Sequence, residues 1–115
     1  MGLSMGAHRT WTTCALTDRV RAGAAICWMG DTQTLMQPGN NQTRGQSASS
    51  MAPPLLRSWM DYADVAALAC PKPMLFFNGE QDTLFPVDGV RAAYAGLGRA
   101  WTAAGAEDRL VTKLW

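Results

Sequence analysis

The sequence predicts an α/β fold: a three-stranded parallel sheet with flanking helices. Three observations lead there. Gly2-Leu3-Ser4-Met5-Gly6 opens the chain with the glycine spacing of a tight strand-to-helix turn. Two short apolar runs, 22–28 and 73–79, read as strands, and the first, continuous rather than alternating, suits a parallel strand covered on both faces. Stretches with helical spacing lie between and after these runs. Such alternation of β and α, with right-handed crossovers, builds a parallel sheet.

The elements follow in order. After the turn, residues 7–16 can carry a helix, with Met5, Trp11, Ala15 and Leu16 at loosely helical spacings and Arg9 and Thr12 outward. Thr17-Asp18-Arg19 punctuates its end. The run Ala22 to Trp28 holds several alanines and a glycine, so the order of elements, rather than propensity, makes it a strand. From about residue 30 to 50 the chain turns polar, with Gln37-Pro38-Gly39-Asn40-Asn41-Gln42 and Ser47-Ala48-Ser49-Ser50 as turn and loop chemistry. A loop of that length reads as an insertion above the sheet. Pro53-Pro54 opens a short helical stretch over 55–60, and 61–68 continues helically until Pro71 and Pro73. Residues 73–79 form the clearest strand, apolar and bounded by proline and glycine. Residues 80–86 are the loop leaving its C-terminal end. Val87, Val90, Ala93, Tyr94, Leu97 and Trp101 mark the apolar face of a helix over 87–104, which Gly96 and Gly98 weaken and Gly105 stops. Residues 109–115 alternate polar and apolar, as an edge-region strand does.

Composition sets bounds on function. The 115 residues suffice for one domain over 1–115, 48% hydrophobic and 17% charged. A net charge of +1 carries no footprint for nucleic acid or an anionic membrane. No apolar run reaches the ~18 residues of a membrane span. No basic region followed by an apolar core suggests a signal peptide. Cys14, Cys27 and Cys70 are odd in number and widely spaced, which fits reduced, buried thiols in a cytoplasmic protein better than a disulfide framework or a zinc site.

Two segments carry a family resemblance. Gly2-Leu3-Ser4-Met5-Gly6-Ala7-His8-Arg9 resembles the G-x-S-x-G nucleophile elbow of α/β-hydrolases, of the bacterial dienelactone hydrolase and acetyl xylan esterase type. Asn78-Gly79-Glu80-Gln81-Asp82-Thr83-Leu84-Phe85-Pro86 resembles the segment that brings the acidic triad member in that superfamily. The resemblance covers nearly the whole chain and implies the C-terminal half of an α/β-hydrolase fold. It implies a serine hydrolase acting on small-molecule carboxylic esters, with Ser4 as nucleophile and Asp82 orienting a histidine. The backbone N–H of Met5 would be one oxyanion donor. Serine acyl transfer uses only protein groups, so no metal or organic cofactor is implied.

The sequence departs from that family in two ways. Members are about twice as long and carry several strands before the elbow, including the one that launches it. Their catalytic histidine follows the last strand, just beyond the position of Trp115. The single histidine here, His8, stands four residues after Ser4 on the same helix, so it reads as a locally packed helix residue rather than a base. The chain thus reads as a hydrolase truncated at both ends. Asp88 competes with Asp82 as the acid, but its place in a helix's first turn suits the macrodipole. Asp31, Asp61 and Asp64 read as caps and turns. Trp28, Met29 and Trp59 are core by default and candidates for lining an acyl pocket. The competing functional class is a non-catalytic fragment or interaction module. Such a module would associate with copies of itself or a partner through an exposed sheet edge and an uncovered apolar face.

Overall fold

A computed structural model describes residues 1–40 and 56–115. Four strands form one sheet in the order β1-β2-β3-β4: β1 (Gly2–Leu3), β2 (Gly23–Ile26), β3 (Met74–Asn78) and β4 (Leu110–Leu114). Every pairing is parallel. The helices are α1 (Met5–Leu16), α2 (Thr32–Leu35), α3 (Tyr62–Ala67) and α4 (Val87–Ala103), with single 3₁₀ turns at Leu56–Ser58 and Glu107–Arg109.

The α/β architecture agrees with the sequence, and the strand count rises from three to four. The added strand is β1, the two residues that lead into the Ser4 turn, paired Gly2 to Ala25 and Leu3 to Ile26. Two residues, one of them glycine, are too short a run to show a period. The polar insertion expected over about 30–50 contains α2 in its first part; beyond Asn40 it lies outside the described residues.

Strands that follow one another in order, all parallel, place right-handed crossovers on a single face. The core lies on that face. Ala7, Trp11 and Cys14 of α1, Ala63 and Ala66 of α3, and Val90, Ala93, Leu97 and Trp101 of α4 are buried with Ala25, Met74 and Phe76 of the sheet. The α1 to β2 contact is close: a Cβ on Gly23 would meet Cys14 Sγ at 2.7 Å, so only glycine fits there. Leu16, expected on the apolar face of α1, is 71% exposed, because Cys14 takes the inward position in the last turn. Lys72 closes that helix from a distance, donating from Nζ to the carbonyls of Cys14 (2.7 Å) and Thr17 (2.8 Å), where a cation suits the dipole.

The opposite face corrects one expectation. The run 22–28 suggested a strand covered on both sides, yet among the described residues helices cover one side only. Register aligns Leu3, Ile26, Phe77 and Lys113 in one row and Ala24, Leu75 and Val111 in the next. Leu3 (65%) and Val111 (44%) in these rows are exposed.

Candidate active site

The C-terminal ends of the four strands share one edge of the sheet, the edge where open α/β sheets place ligands. Ser4 leaves β1 there with φ 53° and ψ −121°, a backbone that side chains other than glycine rarely adopt. The turn is fixed by close approach: a Cβ on Gly2 would run into the Gly6 carbonyl and Thr10 Oγ1. A Cβ on Gly6 would meet open space, so Gly2 alone of the two is sterically required. The Ser4 N–H donates to the Ile26 carbonyl at 2.8 Å, and its own carbonyl accepts from Ala7 N at 2.8 Å and His8 N at 3.2 Å.

A serine before a helix ordinarily caps it with its hydroxyl. Ser4 makes no side-chain cap bond. Its dihedrals are not the extended ones of an ordinary cap, and the residue is exposed. Met5, the next residue, opens α1.

Asp82 lies in the loop after β3, half-buried. Its Oδ1 accepts from Leu84 N at 2.8 Å, and its N–H donates to the Gly79 carbonyl at 3.3 Å. The loop rests on a buried clamp. Asn78, the polar residue of the core, accepts at Oδ1 from Tyr94 Oη (2.9 Å) and donates from Nδ2 to the Met29 carbonyl (3.4 Å). Burial, with a smaller contribution from Cys27, pushes the Tyr94 hydroxyl well above its ordinary pKa, so it remains a donor. The other side is fixed by β4: Trp115 N donates to the Asn78 carbonyl (3.1 Å) and Glu80 N to the Trp115 carbonyl (2.8 Å).

Cys27, Gly79, Glu80, Gln81, Asp82 and Trp115 line an open cleft of about 530 Å³. Ser4 is outside that lining. β2 stands between β1 and β3, so the strands that carry Ser4 and Asp82 are about 10 Å apart. A base that joins the two must bridge over the end of β2. Cys27 sits at that end, in a positive-φ conformation (56°), its N–H donating to the Phe77 carbonyl at 2.6 Å. The sequence marked Cys27 only as a buried thiol, but the structure makes it half-buried and part of the cleft wall. Its place directly after a strand that neighbours the elbow was the available signal.

His8 is engaged in aromatic packing. Its ring packs edge-on against Trp11 (4.6 Å between centroids) and Trp28 (4.5 Å). Burial, and then the Arg9 charge, lower its pKa from 6.5. The aspartates fall where the sequence put them. Asp31 caps α2 through Thr34 N, and Asp61 caps α3 in a reciprocal capping box with Asp64. Asp88 is exposed in the first turn of α4. Trp28 and Met29 are fully buried and are not among the residues lining the cleft, while Trp59 is 86% exposed. Among the described residues no group of three metal-ligating side chains occurs, and no helix is long and apolar enough to cross a membrane.

A parallel α/β sheet, a strained serine elbow on its first strand and a carboxylate loop two strands on define the α/β-hydrolase fold. No family model matches the chain. It is 31% identical over 107 residues to a Bacillus subtilis (strain 168) protein named "Putative hydrolase YtaP", across 87% of this chain and 35% of that protein. Among solved structures, the glucuronoyl esterase catalytic domain from Hypocrea jecorina superposes with a TM-score of 0.79 at 14% identity, over 100% of this chain and 36% of that one. Methylesterase BT1017 gives a TM-score of 0.69 at 21% identity, over 99% and 23%. The chain therefore spans about a third of the length of the curated relative it matches. The structural likenesses bear on the fold.

Proposed function

We propose that this chain carries the nucleophile and the acid of a serine hydrolase that cleaves carboxylic esters. The observation that carries the reading is Ser4: a non-glycine residue held at φ 53° with its hydroxyl exposed and unused as a cap. A turn that needed only a small residue would be relieved by glycine. Strain of this kind, costing about 1–3 kcal/mol, persists where it serves a site. Asp82 supports the reading as orienter of a base, and the Met5 N–H, at the start of α1, as an oxyanion donor. The esterase titles of the solved neighbours support the ester as substrate class.

A serine hydroxyl needs a base to take its proton as it attacks the carbonyl. His8 is spent on packing, so the base comes from outside these 115 residues. It enters over Cys27, between Ser4 and Asp82. Free thiols at Cys14, Cys27 and Cys70 support a reducing, cytoplasmic setting.

Imidazole supplied in solution tests the assignment, since it replaces the side chain that the reading lacks. Cleavage of a p-nitrophenyl ester should rise with imidazole more steeply for the wild-type chain than for Ser4→Ala, with Asp82→Ala in between. Equal slopes for wild type and Ser4→Ala, the background reaction of imidazole alone, defeat the reading.

Among the described residues one sheet face carries no helix and β1 pairs on one side only; with Met1 94% and Leu3 65% exposed, these favour a second reading as an association module. In it two copies pair through that edge. Sedimentation of a clean monomer at high concentration would exclude it.

A further inference from the structure

We infer that the aromatic cluster beside the elbow helix holds one internal water molecule, bound by Trp11, Trp28 and Tyr62. The inference is independent of the hydrolase reading. Trp11 Nε1, Trp28 Nε1 and Tyr62 Oη are buried with no hydrogen-bond partner among the described residues. Their residues are 2%, 0% and 1% exposed. Native structures satisfy nearly all such groups, and three together in one cluster call for a shared partner. The rings are neighbours: Trp28 lies 5.0 Å from Tyr62 and 5.6 Å from Trp11, and Trp11 lies 6.2 Å from Tyr62. They come from three separate elements: α1, the segment after β2, and α3.

The chemistry of these atoms selects the occupant. An indole N–H only donates, so the partner must offer lone pairs, which rules out a cation. Asp61 stands beside Tyr62, its Oδ1 accepting from Tyr62 N at 2.6 Å, and its charge opposes an anion. Near-complete burial of all three residues disfavours an organic ligand entering from solvent. Water meets the donor and acceptor requirement. Its two lone pairs accept the two indole N–H groups, and one of its O–H groups donates to Tyr62 Oη. The molecule then links α1, the end of β2 and α3 in place of a direct bond.

Trp101 is a built-in control, since its buried Nε1 donates to the Lys72 carbonyl at 3.2 Å. Water-to-protein cross-relaxation spectra of the ¹⁵N-labelled full chain read the site directly. Trp59→Phe and Trp115→Phe, both at positions 86% exposed, remove the two surface indole signals. Of the three that remain, two should show contacts with a bound water and one, Trp101, none. If all three lack them, as a protein acceptor or true orphans would give, the inference is overturned. Tyr62→Phe supplies a second reading: a lowered melting temperature fits a hydroxyl held by water. An unchanged or raised one fits an unpaired hydroxyl and counts against the site.

Discussion

The elbow and the acid loop stand two strands apart on one sheet edge, and they are held in opposite ways. The elbow is local. Gly2 lets the Gly6 carbonyl approach, Ser4 takes the strained dihedrals, and α1 begins at once. The acid loop is held from afar: Asn78 reaches Tyr94 sixteen residues on and Met29 forty-nine back, and Trp115 brackets the strand end. The elbow stores strain to expose a hydroxyl, whereas the loop uses buried hydrogen bonds to steady a carboxylate. Five consecutive residues specify one half of the proposed site, and the assembled sheet specifies the other.

Substitutions can break or sharpen this contrast. The largest effect should come from Gly2→Ala, whose Cβ is driven into the Gly6 carbonyl; a loss of about 3 kcal/mol or more is expected in a denaturant melt. Gly6→Ala, facing open space on the same turn, should instead be neutral or gain up to about 1 kcal/mol. Equal damage from the two would show that the turn is not built around Gly2.

Next in size is Asn78→Leu. It leaves the Met29 carbonyl without its donor and Tyr94 with only the Lys113 carbonyl, at a cost of about 2 kcal/mol. Amide exchange should speed at Glu80 and Asp82 while Ser4 is unchanged. Loosening at the elbow as well would mean the two halves are coupled. Ser4→Gly should raise stability by about 1 kcal/mol, because glycine relieves the positive φ. A loss of stability there would argue that the serine hydroxyl is structural.

The smallest effect is a pH slope. Burial lowers the folded-state pKa of His8 below the 6.5 of the unfolded chain. The unfolded state therefore binds the proton more readily. The contribution of neutral His8 is present above pH 6.5 and is lost as pH falls below it. The melting temperature should decline over that range in wild type and decline less in His8→Phe. Matching slopes would remove His8 from the aromatic packing.

The same contrast explains what the sequence revealed. Gly2, Ser4 and the 73–79 strand were legible because their signals are local: a fixed spacing and a short apolar run ended by glycine. The packed role of His8 followed from its place one turn along the elbow helix. The two-residue β1 was too short to read. The sequence left open a run covered on both faces and a module with an uncovered face, because an apolar run looks alike whether or not a layer covers it. Among the described residues helices cover one side. The Asn78–Tyr94 clamp and the position of Cys27 depend on strands brought together in space, and no spacing in the sequence encodes those neighbours. Trp28 and Met29 were candidates for a pocket because they follow a strand, but both are fully buried, Trp28 among the rings of Trp11, Tyr62 and Phe85.

The account rests on Ser4 being a nucleophile held ready by its backbone. Its most direct test is reaction of the chain with a fluorophosphonate in the presence of imidazole, with the adduct located by mass spectrometry. The account predicts phosphonylation at Ser4, absent after thermal unfolding and reduced by Asp82→Ala. An unmodified Ser4, or an adduct formed equally in the unfolded chain, would contradict it.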